Sequence, residues 1–345
     1  MASFEKLVSL SRGRVGHVEC VESEHCGAIV IVDGRGQLVS SLGDPEHWIS
    51  LRSTAKPFQL LPFLLLGLQE AEWPEGETIS DADLALMMSS HAGEPMHVER
   101  VRRLLALVGL SEDDLRCGEQ RVGQNTSTVH NNCSGKHTAL LMICRRQGWP
   151  IENYLHPDHP LQHWIARLLL NLSGRPIEEL GVGVDGCSLP TYILSLSALA
   201  RLYASLACPE EAGLANDPVT LNALSILFRA GTSHPEFIGG AKRLDTTLIR
   251  SVPGLFAKTG AEGVFAMGYA PSERYPQGLG IAIKVTDGDS ANRARTAVAI
   301  EVLRQLQLLP EQSLWEAELA SMASDALTNL RGIEVGRVTP TFALS

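Results

Sequence analysis

Ser53-Thr54-Ala55-Lys56 sets a hydroxyl and an amine three residues apart. On a helix, positions i and i+3 share a face, so the amine can reach the hydroxyl. A serine is a poor nucleophile until a neighbouring base takes its proton. Lysine serves as that base only when neutral, so its pKa must fall from about 10.4 toward neutrality, and burial or a second cation pushes it that way. The bland alternative is a helix-cap serine beside a surface lysine. Ser89-Ser90-His91-Ala92-Gly93 offers a second hydroxyl at a helix end, and Lys258-Thr259-Gly260 follows a strand-like stretch. Asn132-Cys133-Ser134-Gly135-Lys136-His137 and Asp185-Gly186-Cys187-Ser188 add two thiols, an imidazole and a carboxylate beside glycine turns. Such donors have the ligand chemistry of a zinc site. Cys133 and His137, at i and i+4, are within reach of one ion; two buried structural thiols are the commoner arrangement.

These residues need elements to carry them. Residues 28–32 and 37–41 are β-prone runs around Asp33-Gly34-Arg35-Gly36, a hairpin signature. Pro57 suits the first turn of a helix, so Ser53 and Lys56 fall at or just before a helix start. From there to about residue 235 the pattern is mostly helical, with helices expected over 81–88 (Ser80 as N-cap), 98–108, 136–147, 160–172, 190–206 and 218–228. After residue 244, strands are expected at 246–252, 263–269 and 279–285, then an amphipathic helix over 292–308. The last 35 or so residues read as helical, then extended, with no clear place in the fold. Two strand-rich chain ends can pair into one antiparallel sheet, leaving the helical middle as a second lobe. The expected division is one unit over 1–345: a sheet lobe from 10–50 and 244–310, a helical lobe over 53–240, and a tail over 311–345.

Composition narrows the function classes. The chain has 345 residues, 44% of them hydrophobic and 20% charged, which excludes a disordered protein. Lys and Arg total 29 against 39 Asp and Glu, a net charge of −10 with no basic run, so nucleic acid and anionic membrane surfaces are poor partners. Seven cysteines form no disulfide framework, and Met1-Ala2-Ser3-Phe4-Glu5-Lys6 has no apolar signal region. A reduced, cytoplasmic protein is expected.

S-x-x-K early and K-T-G late resemble the serine β-lactamases and penicillin-binding proteins, whose K-T-G strand borders the active site and whose lysine supplies a second cation. The S-x-N element of that pattern is not evident. Arg52-Ser53-Thr54-Ala55-Lys56-Pro57-Phe58-Gln59, Ser90-His91-Ala92-Gly93-Glu94, Asn132-Cys133-Ser134-Gly135-Lys136-His137, Asp185-Gly186-Cys187-Ser188-Leu189-Pro190 and Lys258-Thr259-Gly260-Ala261-Glu262-Gly263 stand in one order between about residues 16 and 308. Together they resemble the Rhizobium-type L-asparaginases. No D-G-T-D-T segment of the threonine-dependent class is present.

The resemblance implies an α/β (α+β) fold like the serine β-lactamases and glutaminases, with two adjacent Ser–Lys pairs: Ser53 with Lys56, and Ser90 with Lys258. Ser90 is chosen over Ser89 because it directly precedes the His-Ala-Gly-Glu run. It also implies a zinc ion held by Cys133, Lys136 and Cys187, with Asp185 and His137 on the substrate or water side and His91 and Gly260 bordering the substrate. The donor chemistry by itself favours His137 over Lys136 as a ligand, and both sets stay open at this point. The implied reaction is hydrolysis of L-asparagine to aspartate and ammonia through an acyl-enzyme, in a homodimer. A glutaminase, a β-lactamase-like amidohydrolase and a non-catalytic zinc scaffold are the alternatives. The substrate α-carboxylate needs a local cation, for which Arg52 and Arg243 are the candidates.

Overall fold

The computed structural model describes residues 4–344. The stretch at residues 1–6, used above to argue for a cytoplasmic protein, lies partly outside them. Thirteen strands are described: β1 (Glu5–Val15), β2 (Val18–Asp33), β3 (Leu38–Leu42), β4 (Trp48–Ser50), β5 (Gln120–Val122), β6 (Asn125–Ser127), β7 (Gly181–Val184), β8 (Pro190–Ser195), β9 (Leu255–Thr259), β10 (Val264–Tyr269), β11 (Leu279–Val285), β12 (Ala326–Thr328) and β13 (Glu334–Pro340). The main sheet runs β12-β13-β1-β2-β11-β10-β9, with β3 also paired to β2, and every pairing is antiparallel. Both ends of the chain thus contribute to one antiparallel sheet. Strand β1 had no counterpart in the sequence pattern, and the extended part of the tail, which the sequence left without a place, supplies β12 and β13. The ribbon of β1 and β2 beyond Ser11 is exposed on nearly every residue, so burial leaves no alternation there to read.

Between the strands lie α1 (Lys56–Gln59), α2 (Leu61–Leu65), α3 (Asp81–Met87), α4 (Pro95–Ala106), α5 (Ser134–Gln147), α6 (Pro160–Ser173), α7 (Leu196–Ala207), α8 (Pro218–Ser233), α9 (Pro235–Ile238), α10 (Leu244–Ser251), α11 (Arg293–Gln305) and α12 (Ala317–Met322). Ser80 caps α3 in a reciprocal capping box with Asp83. β11 is buried on both faces, and α7 and α11 are the helices that pack on it. Gly280 of β11 would bring a Cβ within 2.0 Å of Ala200 O on α7, so only glycine lets that helix lie so close.

Two expectations fail. Residues 246–252 form most of a helix, α10, not a strand. Their β-branched run Thr246-Thr247-Leu248-Ile249 is overridden by Asp245 in the first helical turn and by packing against β9 and α9. Residues 190–195 are a strand before helix α7 begins. Pro190 stands at the first strand position, where its missing N–H is tolerated, and β8 pairs with β4 and β7.

Candidate active site

Four elements deliver the predicted groups to one place. The turn ahead of α1 carries Ser53 and α1 itself opens with Lys56, and the backbone of the turn is held from both sides. Leu51 N donates to Tyr192 O at 2.9 Å, and Tyr203 of α7 donates its hydroxyl to Thr54 O at 2.9 Å. Arg52 sits at φ +50°, a left-handed conformation uncommon for arginine, which turns the chain sharply just before Ser53. Ser89 and Ser90 follow α3, and Ser90 N donates to Ile238 O at 2.9 Å. Lys258 stands on β9, opposite Ala266 of β10.

Lys56 and Lys258 are both fully buried. They meet at one hydroxyl: Ser90 Oγ lies 3.0 Å from Lys56 Nζ and 2.8 Å from Lys258 Nζ. Lys56 also donates to Ser89 O and, at 3.3 Å, to Asn132 O, so its hydrogen bonds go to the Ser89–Ser90 turn and not to Ser53. Burial pushes the Lys258 ammonium down to about 7; Asp245, 3.9 Å away, pulls it up, while Lys56 and Arg243 add to the fall. Lys56 is lowered too, by burial and by Lys136, against the opposing pull of Cys133. Ser53 and Ser90 line the same cavity of about 620 Å³, together with His91, Asn132, Arg243 and Gly260.

His91 is locked in this wall. Its Nε2 pairs with Ser134 Oγ at 2.9 Å, Gly93 N donates to its Nδ1 at 3.1 Å, and burial holds it well below the usual histidine range. Arg52 and Asp185 pair with each other at 2.8 Å, and neither they nor His137 line this cavity. His137 is buried with Nδ1 on the Tyr154 hydroxyl at 2.7 Å.

The two thiols flank the lysines. Cys133 precedes α5, Lys136 lies in its first turn, and Lys136 Nζ is 3.2 Å from Cys187 Sγ. A hydrogen bond from Cys187 keeps Cys133 well below the usual thiol range despite burial; the same bond and burial push Cys187 up. Burial opposes the charge on Lys136, but Cys187, Cys133 and Asp185 outweigh it and raise its pKa. Two sulfurs and the Lys136 nitrogen converge in this buried place, and the nitrogen becomes a metal donor only after losing the proton that its neighbours favour. Among the described residues no three His, Cys, Asp or Glu side chains converge, so His137 does not complete a set with the two thiols.

Several neighbours escaped the sequence reading. Asp245, fully buried, accepts from Thr259 N at 3.3 Å beside Lys258. Arg295 donates to Gly260 O at 2.7 Å and fixes the end of the Lys-Thr-Gly strand. The hairpin of β5 and β6 supplies Gln120, which accepts from Asn132 N at 3.0 Å and lines the cavity.

Compared with known proteins, the chain matches the L-asparaginase II family over residues 9–340. No curated protein matches it. Among solved structures it is similar to a Bacillus glutaminase in 4.3 M NaCl, at 12% identity and a TM-score of 0.41, covering 82% of this chain and 91% of that one. It is also similar to a Bacillus subtilis glutaminase joined covalently to 5-oxo-L-norleucine, at 13% identity and a TM-score of 0.39, covering 82% and 88%. Because the match spans nearly the whole chain, from the first strand of the sheet to the last, this protein belongs to the L-asparaginase II family and is an amidohydrolase acting on a linear amide.

Proposed function

We propose that the protein hydrolyses the side-chain amide of L-asparagine to L-aspartate and ammonia, with Ser53 as nucleophile. The observation that carries this reading is the Ser90 hydroxyl held between two buried lysines in the cavity that Ser53 also lines. A neutral lysine takes the proton of Ser53 through Ser90, and the Ser53 oxygen attacks the amide carbon. The proton passes to the leaving nitrogen as the C–N bond breaks and ammonia departs. Water then attacks the acyl ester, giving its proton to the same amine; the bond between the acyl carbon and Ser53 Oγ breaks, Ser53 Oγ takes that proton back, and aspartate is released. Backbone N–H groups at the helix start hold the oxyanion, each such donor contributing about 3–4 kcal/mol.

A second reading makes Ser90 the nucleophile, because both lysines bond to it and neither bonds to Ser53. Ser53→Ala and Ser90→Ala are expected to lose ammonia release while their thermal melts stay near that of the parent. A diazoketone analogue of asparagine, mapped by mass spectrometry, decides between the two: the adduct falls on Ser53 in the first reading and on Ser90 in the second. An active Ser53→Ala protein refutes the first. Parallel rates with asparagine, glutamine and nitrocefin separate the asparaginase from the alternatives.

Cys133, Lys136 and Cys187 are the residues that would hold zinc, supported by their convergence and donor types. Bound there, zinc would supply a Lewis acid beside the cavity. The measurement is metal content: the purified protein is expected to carry about one equivalent of zinc, with Cys187→Ser and Lys136→Met each losing it. Full zinc loading in both variants refutes the ligand set.

A further inference from the structure

The active cavity opens on a side chamber of about 250 Å³, and Arg243, Thr259, Asn292 and Arg295 line both spaces. The chamber is cationic. Lys242 and Arg243 lie on its wall, and Arg295, 7% exposed, stands behind them. The carboxylates nearest the chamber are committed elsewhere, and Glu262 and Asp287 line the active cavity but not the chamber. Asp245 accepts from Thr246 N and Thr259 N and faces Lys258. Asp289 accepts the backbone N–H groups of Arg293, Ala294 and Arg295. Glu236 faces Arg250 and His234. Arg295 spends its Nη1 and Nη2 on Gly260 O and Asn292 Oδ1, and its Nε is buried without a partner. Arg243 has no carboxylate partner among the described residues, although it stands close enough to Lys258 and Arg295 for its charge to weigh against theirs.

Clustered cations facing a small polar chamber are stabilised by an anion. The place of that anion relative to the reacting atoms follows from the shared lining. Arg243 and Thr259 line the cavity that Ser53 and Ser90 also line, so one small substrate can meet the serines with its amide and Arg243 with its carboxylate. We propose that Arg243, backed by Arg295, is the specificity determinant for the substrate's free α-carboxylate. The substrates are then small amides with an unblocked carboxylate, and an asparagine inside a peptide is excluded. This rests on the amide-hydrolysis reading above.

The test compares the parent with Arg243→Ala and Arg243→Lys, each checked for an unchanged circular dichroism spectrum. Removing a charge-assisted contact is expected to raise KM for asparagine by roughly 100-fold with a much smaller fall in kcat, with Arg243→Lys intermediate. The parent's preference for asparagine over 3-aminopropanamide, which is asparagine without its carboxylate, should collapse by a similar factor. A loss confined to kcat, or equal for both substrates, overturns the proposal. Calorimetry with L-aspartate and with inorganic phosphate is independent of turnover. Aspartate binding should vanish in Arg243→Ala and persist in Ser53→Ala. Aspartate binding unchanged in Arg243→Ala, or phosphate bound as tightly as aspartate, overturns the assignment. If the parent releases no ammonia from asparagine or glutamine, the hydrolysis reading fails, and the calorimetry alone decides whether Arg243 holds a carboxylate.

Discussion

Two amines that share one buried hydroxyl cannot both hold their protons cheaply, and Lys258 is the one brought to about 7. A base works only when unprotonated, so kcat/KM should rise with pH as Lys258 loses its proton, with a midpoint near 7. Asp245 opposes that loss, because a carboxylate 3.9 Å away favours the ammonium. Removing its charge in Asp245→Asn therefore lowers the Lys258 pKa, and the rising limb should move to lower pH by about one pH unit. A midpoint that stays or rises would show that another group titrates. The serines and lysines were legible because their chemistry needs particular residue types at particular spacings. Asp245 was not, because it touches Lys258 only through the fold, thirteen residues away along the chain and in a different element. Arg295 is a similar case: it acts by holding Gly260 O, and nothing in an arginine's neighbours along the chain marks that.

At the scale of elements, the site depends on how closely α7 lies on the sheet. Gly268 and Gly280 are register partners on β10 and β11, and each faces α7 backbone. A Cβ at Gly280 would stand 2.0 Å from Ala200 O, and one at Gly268 would stand 2.6 Å from Tyr203 O. Backbone cannot give way as a flexible side chain does, so Gly280→Ala should cost about 1–3 kcal/mol and lower the melting temperature. Gly183→Ala, whose added methyl meets Thr191 Cγ2 at an ordinary 3.5 Å, is the control and should leave the melt nearly unchanged. The helix that must shift carries Tyr203, whose hydroxyl holds Thr54 O next to Ser53. Gly280→Ala should therefore also lower kcat at temperatures where the protein is fully folded; a normal kcat would mean that α7 does not set the turn. The regular helices of the middle region were legible through their apolar period, whereas β8 and α10 were not. Both are short, and in each the preference of Pro190 or of the threonine pair is outvoted by neighbours far away in sequence.

The whole molecule explains why the tail resisted reading. The strand β13 is exposed or half-buried except at Val338, so its extended character carries no apolar alternation to say where it pairs. Its role exists only in three dimensions: it pairs with β1 from Val8↔Pro340 to Ser11↔Arg337, and Thr341 N donates to Leu7 O at 2.9 Å. It also packs on α11, the helix that carries Arg295 and follows the 286–292 loop at the mouth of the cavity. Ending the chain at residue 323 would strip that edge and uncover β1, where Leu7, Val8 and Leu10 are now buried. An unpaired apolar edge strand invites pairing with another chain. The truncated protein should melt at lower temperature and aggregate on mild heating, as light scattering would record. The lysine–serine cluster stands on β9, α1 and the turn after α3, none of which pairs with the tail. Soluble truncated protein should accordingly keep Lys258 titrating near 7, while its KM for asparagine rises through the loosened α11. A truncated chain with parental melt and KM would mean that the sheet is already complete at β1.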